Sequence, residues 1–162
     1  MFEYRKATIE DLERIWDFNI AKNPGDERWV KWKEEYISQH QSGMAVTFVV
    51  LCNDEPIAEG TLLISPDCGA EKGRTELVNG KTIANVNALR IRKAYEGQGH
   101  ISKLVKVMEQ YAAEAGYKRL TIGVDASETR NLGIYLHWGY DQFVLSYEED
   151  NELVLFYAKD LK

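Results

Sequence analysis

The stretch Tyr95-Glu96-Gly97-Gln98-Gly99-His100-Ile101-Ser102-Lys103-Leu104 contains two glycines one residue apart. An apolar run precedes it at residues 83–91, and apolar residues recur after it at helical spacing, so we predict a strand, a tight loop and a helix. A helix start carries unpaired backbone N–H groups and a partial positive charge, and glycines let a ligand approach that backbone closely. The stretch therefore predicts an anion site, for which phosphate is the usual ligand.

Two familiar phosphate-binding loops do not fit this stretch. A Walker loop needs a glycine, four residues and then Gly-Lys-Ser or Gly-Lys-Thr, which is absent here. A dinucleotide fingerprint needs a third glycine at the position of Ser102. The identity of the anion must therefore come from the rest of the chain.

Composition is typical of a single globular domain of 162 residues. The net charge of −6 disfavours general nucleic-acid binding and mildly favours a cationic substrate. Cys52 lies in an apolar run and is expected to be buried, whereas Cys68 lies in a polar stretch and is expected to be exposed. The sequence shows no N-terminal signal and no long apolar span, so we expect a cytoplasmic protein without a membrane partner.

The hydrophobic pattern predicts a strand, two helices, three strands, a helix, a strand, a helix and two strands. Residues 82–124 form one strand–helix–strand unit, which gives a parallel pair, and hairpins supply the other strands. Residues 66–81 are polar and predict a long loop or a mobile flap. We expect one domain, residues 1–162, of the α+β (mixed α/β) class, with a mostly antiparallel sheet of about seven strands and helices on both faces.

This element order, together with Glu96-Gly97-Gln98-Gly99-His100-Ile101, resembles the GNAT superfamily of N-acetyltransferases. In that family, Arg or Gln, two residues, Gly, one residue and then Gly or Ala grip the pyrophosphate of acyl-CoA. Glu96 stands where a cation or an amide is usual, and Ile101 stands where a small residue is usual. The resemblance covers nearly the whole chain and implies a single N-acetyltransferase domain.

The resemblance implies that acetyl-CoA is bound as the acyl donor. The backbone of Leu89 and Ile91 would align its pantetheine arm, and Asn131 would contact the pantetheine or the adenine end. The pyrophosphate would be held by the loop and the first helical turn, namely Glu96, Gly97, Gln98, Gly99, His100, Ile101 and Ser102. The ring of His100 is expected to face solvent, with a phosphate contact as the alternative. No cluster of His, Cys and Asp has metal-ligand spacing, so we expect no metal.

Acyl transfer to an amine needs a deprotonated amine, a stabilised oxyanion and a protonated leaving thiolate. Tyr135, four residues before Gly139-Tyr140, resembles the tyrosine that protonates the thiolate in this family. A backbone N–H near Leu89 or Arg90 could stabilise the oxyanion. No base stands out. Four side chains are candidates by position, each expected at the surface: Glu59, Asp125, Glu128 and His137.

These observations imply an N-acetyltransferase that transfers an acetyl group from acetyl-CoA to a primary amine by direct transfer in a ternary complex. The acceptor stays open between a small molecule and a peptide, and the resemblance allows a homodimer. The aromatic residues Trp29, Trp32 and Tyr36 could line an acceptor pocket or form a core stripe. One alternative is a non-catalytic acyl-CoA sensor or partner subunit of this fold. Another is a nucleotide binder of a different fold, which would prefer ATP or NAD to coenzyme A.

Overall fold

The computed structural model describes every residue from Met1 to Lys162. The strands are β1 (Phe2–Lys6), β2 (Ala45–Cys52), β3 (Glu55–Leu63), β4 (Ile83–Ile91), β5 (Arg119–Asp125), β6 (Gln142–Glu149) and β7 (Glu152–Asp160). The helices are α1 (Ile9–Lys22), α2 (Arg28–Ser42), α3 (His100–Glu114) and α4 (Thr129–His137). The predicted order of strands and helices is confirmed.

The strands form one seven-stranded sheet in the order β1-β2-β3-β4-β5-β7-β6. Strands β4 and β5 pair in parallel, whereas β1 with β2, β5 with β7, and β6 with β7 pair antiparallel. The mixed α/β class with a mostly antiparallel sheet is therefore confirmed. None of the α-helices has the length and hydrophobicity that a membrane-spanning segment needs.

The residues group into two compact units, which are Met1–Leu62 with Ala88–Met108, and Leu63–Asn87 with Glu109–Lys162. Strand β4 and helix α3 therefore contribute residues to both units. The expectation of one domain over residues 1–162 stays a prediction.

In the first unit, helix α1 begins with a capping box. The Oγ1 of Thr8 accepts a hydrogen bond from the N–H of Asp11, and Oδ2 of Asp11 accepts one from the N–H of Thr8. The turn between β2 and β3 has positive φ at both Asn53 and Asp54, as in a type I′ hairpin. The core of this unit is lined by Leu12, Ile15, Trp16, Val49 and Leu51.

In the second unit, β6 and β7 form the predicted hairpin, with positive φ at Asp150 and Asn151. Tyr140 is fully buried, and its hydroxyl donates to Oε2 of Glu109 at 2.8 Å. The same oxygen lies 3.0 Å from Nζ of Lys159. A buried hydrogen bond and an ion pair therefore link α3 to β7.

The polar stretch between β3 and β4 packs more closely than its composition predicts. It contains a 3-10 turn at Gly69–Glu71, and the side chains of Cys68, Glu71 and Leu77 are buried. The carbonyl of Leu77 accepts a hydrogen bond from Oγ1 of Thr121 at 2.8 Å. The expected exposure of Cys68 is therefore wrong, and Cys52, expected inside, is half-buried.

Candidate functional site

The predicted glycine loop lies between β4 and α3. Gly97 and Gly99 adopt φ of +75° and +84°, and a Cβ added at either glycine would meet no atom within 4 Å. Glycine is therefore required there by conformation and not by internal packing. Helix α3 begins at His100, and the first N–H groups of a helix have no partner within it. The loop thus presents an open, positively polarised backbone surface of the kind that binds phosphate.

The side chains of His100 and Glu96 are not placed to bind an anion directly. His100 is buried: its Nδ1 lies 2.8 Å from the hydroxyl of Tyr4, and its Nε2 lies 3.2 Å from Oε1 of Gln98. Burial lowers the pKa of His100, and the charge of Lys103 lowers it further. The expectation that the His100 ring faces solvent is therefore wrong. Glu96 is exposed, so its carboxylate remains hydrated.

The backbone of β4 departs from regular strand geometry just before the loop. The parallel register with β5 runs from Ile83 to Val86. Ala88 then adopts φ of +55°, a conformation that costs a residue with a Cβ about 1–2 kcal/mol. Such strain concentrates at functional sites. The sequence carries no sign of it, because an alanine within an apolar run predicts an ordinary strand.

The half-buried residues Leu89 and Ile91 follow this distortion. A Cβ placed on Gly60 would lie 2.7 Å from Cδ2 of Leu89 and 2.9 Å from Sδ of Met108. Gly60 therefore lets the side chain of Leu89 pack closely on β3 beside helix α3. Leu89, Ile91, the glycines and the first turn of α3 all belong to the first unit.

Among the candidate bases, Glu59 departs most from its expected position as a solvated carboxylate at the surface. Its side chain is buried, and its Oε2 accepts hydrogen bonds from Nδ2 of Asn19 at 2.8 Å and from Nε of Arg90 at 3.2 Å. Both neighbours donate to the same carboxylate oxygen, so the side chain is engaged in structural hydrogen bonds. Sequence reasoning missed this cluster, since Asn19 and Arg90 carry no motif.

Tyr135 lies on α4 in the second unit, half-buried, with its ring centroid 5.5 Å from that of Trp138. Burial raises the pKa of Tyr135, and the negative charge of Glu128 raises it further. The phenol is therefore protonated at neutral pH and can donate a proton. On the same helix, Nδ2 of Asn131 donates to Oε2 of Glu128 at 2.6 Å.

The other candidate bases are either held by local hydrogen bonds or exposed to solvent. Oδ1 of Asp125 accepts hydrogen bonds from the N–H and the hydroxyl of Ser127, and these lower the pKa of Asp125. Glu128 and His137 are exposed, as expected. None of these groups combines burial with an unengaged proton-accepting atom.

Comparison with protein families identifies the chain. Residues 7–140 match the model of the acetyltransferase (GNAT) family. The chain belongs to this family. It is therefore an acetyl-CoA-dependent acyltransferase, and both the predicted resemblance and the predicted enzyme class are confirmed. No curated protein matches the chain.

Solved structures share the GNAT fold with this chain. The PaiA N-acetyltransferase of Thermoplasma acidophilum, in complex with coenzyme A, is 18% identical with a TM-score of 0.65, and the match covers 99% of each chain. An N-acetyltransferase of Staphylococcus aureus Mu50 is 20% identical with a TM-score of 0.70, covering 100% of this chain and 99% of that one. An acetyl transferase of Salmonella typhimurium that modifies the N-terminal serine of ribosomal protein L7/L12 is 17% identical with a TM-score of 0.72, covering 99% and 95%.

Proposed function

We propose that this GNAT enzyme transfers an acetyl group from acetyl-CoA directly to a primary amine while both substrates are bound. The observation that carries the proposal is the loop with left-handed Gly97 and Gly99 at the start of α3. Its open backbone fits a pyrophosphate, because a Cβ at either glycine would project into space that no protein atom fills. We assign the pyrophosphate to the N–H groups of Gln98, Gly99, Ile101 and Ser102.

We assign the remaining contacts with acetyl-CoA mainly to backbone groups. His100 contributes its N–H, since its ring is buried against Tyr4. Glu96 and Gly97 form the rim of the loop, where an exposed Glu96 keeps its carboxylate in water. The backbone of Leu89 and Ile91 aligns the pantetheine, and Asn131 adds a contact from α4. No side chain is assigned to a metal.

Acetyl-CoA supplies an activated acetyl thioester. A backbone N–H beside Leu89 or Arg90 stabilises the charge that develops on the thioester oxygen. Tyr135 donates its proton to the departing thiolate and regains a proton from solvent. Its pKa is raised, so the phenol enters the reaction protonated. The acceptor amine loses its proton to water, since none of the candidate bases combines burial with an unengaged proton-accepting atom.

The acceptor is an amine of a small molecule or a peptide. The related Salmonella enzyme modifies a protein N-terminal serine, so a peptide α-amine belongs in the first panel of acceptors. The proposal includes neither a nucleic acid nor a membrane as partner, and it allows a homodimer.

Titration calorimetry of acetyl-CoA at moderate salt tests the proposal, with coenzyme A and ATP as the comparison ligands. We expect both thioester and free coenzyme A to bind in roughly the micromolar range, and ATP not to bind. Turnover with an amine panel would then support catalysis, whereas binding without any turnover would support the sensor alternative. Preferential binding of ATP would overturn the assignment of the loop.

A further inference from the structure

A buried ion pair joins β3 to β4 on the side of the sheet that faces α1. Glu59 is 1% exposed, with Oε2 at 3.2 Å from Nε of Arg90 and Oε1 at 3.4 Å from its Nη2. Asn19 on α1 donates a further hydrogen bond to Oε2 at 2.8 Å. The carboxylate is therefore engaged from two sides, and the pair is held in one orientation.

The guanidinium of Arg90 also lies against two indole rings. Its Cζ is 5.0 Å from the ring centroid of Trp16 and 5.2 Å from that of Trp29, within the range of cation–π attraction. The side chain nevertheless remains 31% exposed. Trp16, Trp29 and Glu59 thus fix the position of Arg90 without covering it.

One edge of the guanidinium is left for a ligand. Glu59 occupies the edge formed by Nε and Nη2. A guanidinium is planar and has a second edge, made of one N–H on each Nη, that matches the two oxygens of another carboxylate. No hydrogen bond in the structure uses Nη1 of Arg90, so this second edge is available.

The indole N–H of Trp16, whose ring lies against Arg90, lacks an acceptor. Trp16 is 1% exposed, and its Nε1 is buried without a hydrogen-bond partner. A buried unpaired donor is unfavourable, and native structures rarely leave one without a reason. The second edge of the Arg90 guanidinium therefore offers N–H donors, while Glu59, the carboxylate that contacts Arg90, is already engaged. A ligand bound here must supply acceptor oxygens.

The location on β4 connects this group to the reaction. Arg90 lies between Leu89 and Ile91, whose backbone the proposed function assigns to the pantetheine. Side chains alternate along a strand: Leu89 packs beside Met108, and Arg90 lies on the opposite face beside Trp16. A molecule that binds Arg90 therefore lies one residue away from the strand segment that holds the acyl donor.

We propose that Arg90 binds the carboxylate of the acceptor, so that the substrate is an amino acid or a short amino-carboxylic compound. This inference rests on the proposed function. The planar fork matches the two oxygens of a carboxylate, and the adjacent charge of Glu59 repels a phosphate dianion more strongly than a carboxylate monoanion. The overall charge of −6 suggested a cationic acceptor, but the donors at this position favour a zwitterion.

Matched acceptors test the inference directly. The twenty L-amino acids and their C-terminal amides are offered with acetyl-CoA, and release of the coenzyme A thiol gives KM and kcat for each. For the best side chain, we expect the acid to have a KM at least about tenfold below that of its amide. Calorimetry with N-acetyl amino acids and N-acetyl amino acid amides repeats the comparison without turnover, and the acids should bind more tightly.

Variants then assign the preference to Arg90. Arg90→Gln alone would leave the buried carboxylate of Glu59 without its ion-pair partner. The test therefore uses Glu59→Gln/Arg90→Gln, in which both charges are removed. We expect the KM for the acid to rise about tenfold or more, with kcat nearly unchanged and the KM for the amide nearly unchanged. Arg90→Lys, which keeps the charge and loses the fork, should raise the KM for the acid by about threefold or more, and it decides the question if the double variant does not fold.

Arg92→Gln is the matched control. Arg92 also pairs with a glutamate of β3, with its Nη1 3.0 Å from Oε1 of Glu55, and its Cζ lies 3.9 Å from the ring centroid of Phe18. Glu55 is exposed, and we expect Arg92→Gln to leave the KM values for the acid and for the amide unchanged.

Three outcomes would overturn the inference. The first is that amides are acetylated as well as acids, and the second is unchanged selectivity in Arg90→Lys. The third is that no amino acid is acetylated and N-acetyl amino acids also fail to bind. In each case acetyl-CoA binding by the native enzyme would leave the proposed function standing. A protein that fails to bind acetyl-CoA would overturn the proposed function instead.

Discussion

A single phenol, that of Tyr135, donates the proton in the proposed reaction. Burial and the charge of Glu128 both raise its pKa, so the proton is present at neutral pH. In Tyr135→Phe we expect turnover to fall about tenfold or more, because the thiolate must then leave without a proton, while acetyl-CoA affinity changes little. Initial rates of thiol release and calorimetric titration measure the two quantities.

Tyr157→Phe provides the comparison for that substitution. Tyr157 is a half-buried tyrosine of β7 in the same unit, and its ring contacts Phe143. Its loss should leave turnover unchanged. If Tyr135→Phe turned over acetyl-CoA as fast as the native enzyme, Tyr135 would not be the acid.

Glu71 shows how one buried carboxyl group shapes the pH dependence of stability. Burial raises its pKa from an ordinary value of 4.5 to about 7, although Arg74 lies 3.8 Å away and partly offsets the shift. A native pKa above the unfolded one means that the folded state binds more protons between these values. The free energy of unfolding should therefore fall as the pH rises from 4.5 to about 7.

Glu71→Gln should remove much of that dependence. We expect the variant to be more stable than the native protein by about 2 kcal/mol at alkaline pH and to show a flatter profile in urea unfolding across the acidic range. Glu76→Gln, which changes an exposed residue of the same loop, should follow the native profile. A less stable Glu71→Gln at alkaline pH would show that the ionised carboxylate is stabilising.

At the level of the elements, substitutions can separate the role of the glycine loop in binding from the strain that a side chain at positive φ causes. Gly99→Ala places a Cβ at φ of +84°, which should cost about 1–2 kcal/mol of stability and obstruct the surface assigned to the pyrophosphate. We therefore expect acetyl-CoA affinity to fall by about tenfold or more. Urea unfolding and calorimetry measure the two effects.

Gly43→Ala is a matched control for the loop. Gly43 ends helix α2 at φ of +81°, and a Cβ there also meets no atom within 4 Å. Its replacement should cause a similar loss of stability and leave acetyl-CoA affinity unchanged. Equal losses of affinity in both variants would mean that strain, and not the position of the loop, weakens binding.

Local patterns predicted the elements because each is specified by nearby residues. The capping box of Thr8 with Asp11 and the glycines before α3 act within a few positions. The Glu59–Arg90 pair could not be predicted, since it joins residues on two strands and depends on tertiary packing. The left-handed φ of Ala88 likewise could not be predicted, because no residue near it in the sequence marks a departure from strand geometry.

For the whole molecule, binding of the acyl donor should stabilise the folded state by mass action. A ligand at about a hundred times its Kd that binds only the native protein adds about 2.7 kcal/mol. For a chain of this size we expect acetyl-CoA to raise Tm by roughly 5–10 °C, and ATP to leave it unchanged. A scan of Tm against acetyl-CoA concentration checks this, and a Tm that does not depend on concentration would contradict it.

The burial of the two cysteines has a practical consequence for every assay in which a thiol-reactive dye detects released coenzyme A. Cys68 is enclosed in the loop before β4 and should stay silent in the folded enzyme, whereas half-buried Cys52 should react slowly and add a background signal. That background would grow if a variant loosened the structure. The reactivity of Cys68 can therefore report unfolding in the same cuvette in which catalysis is measured.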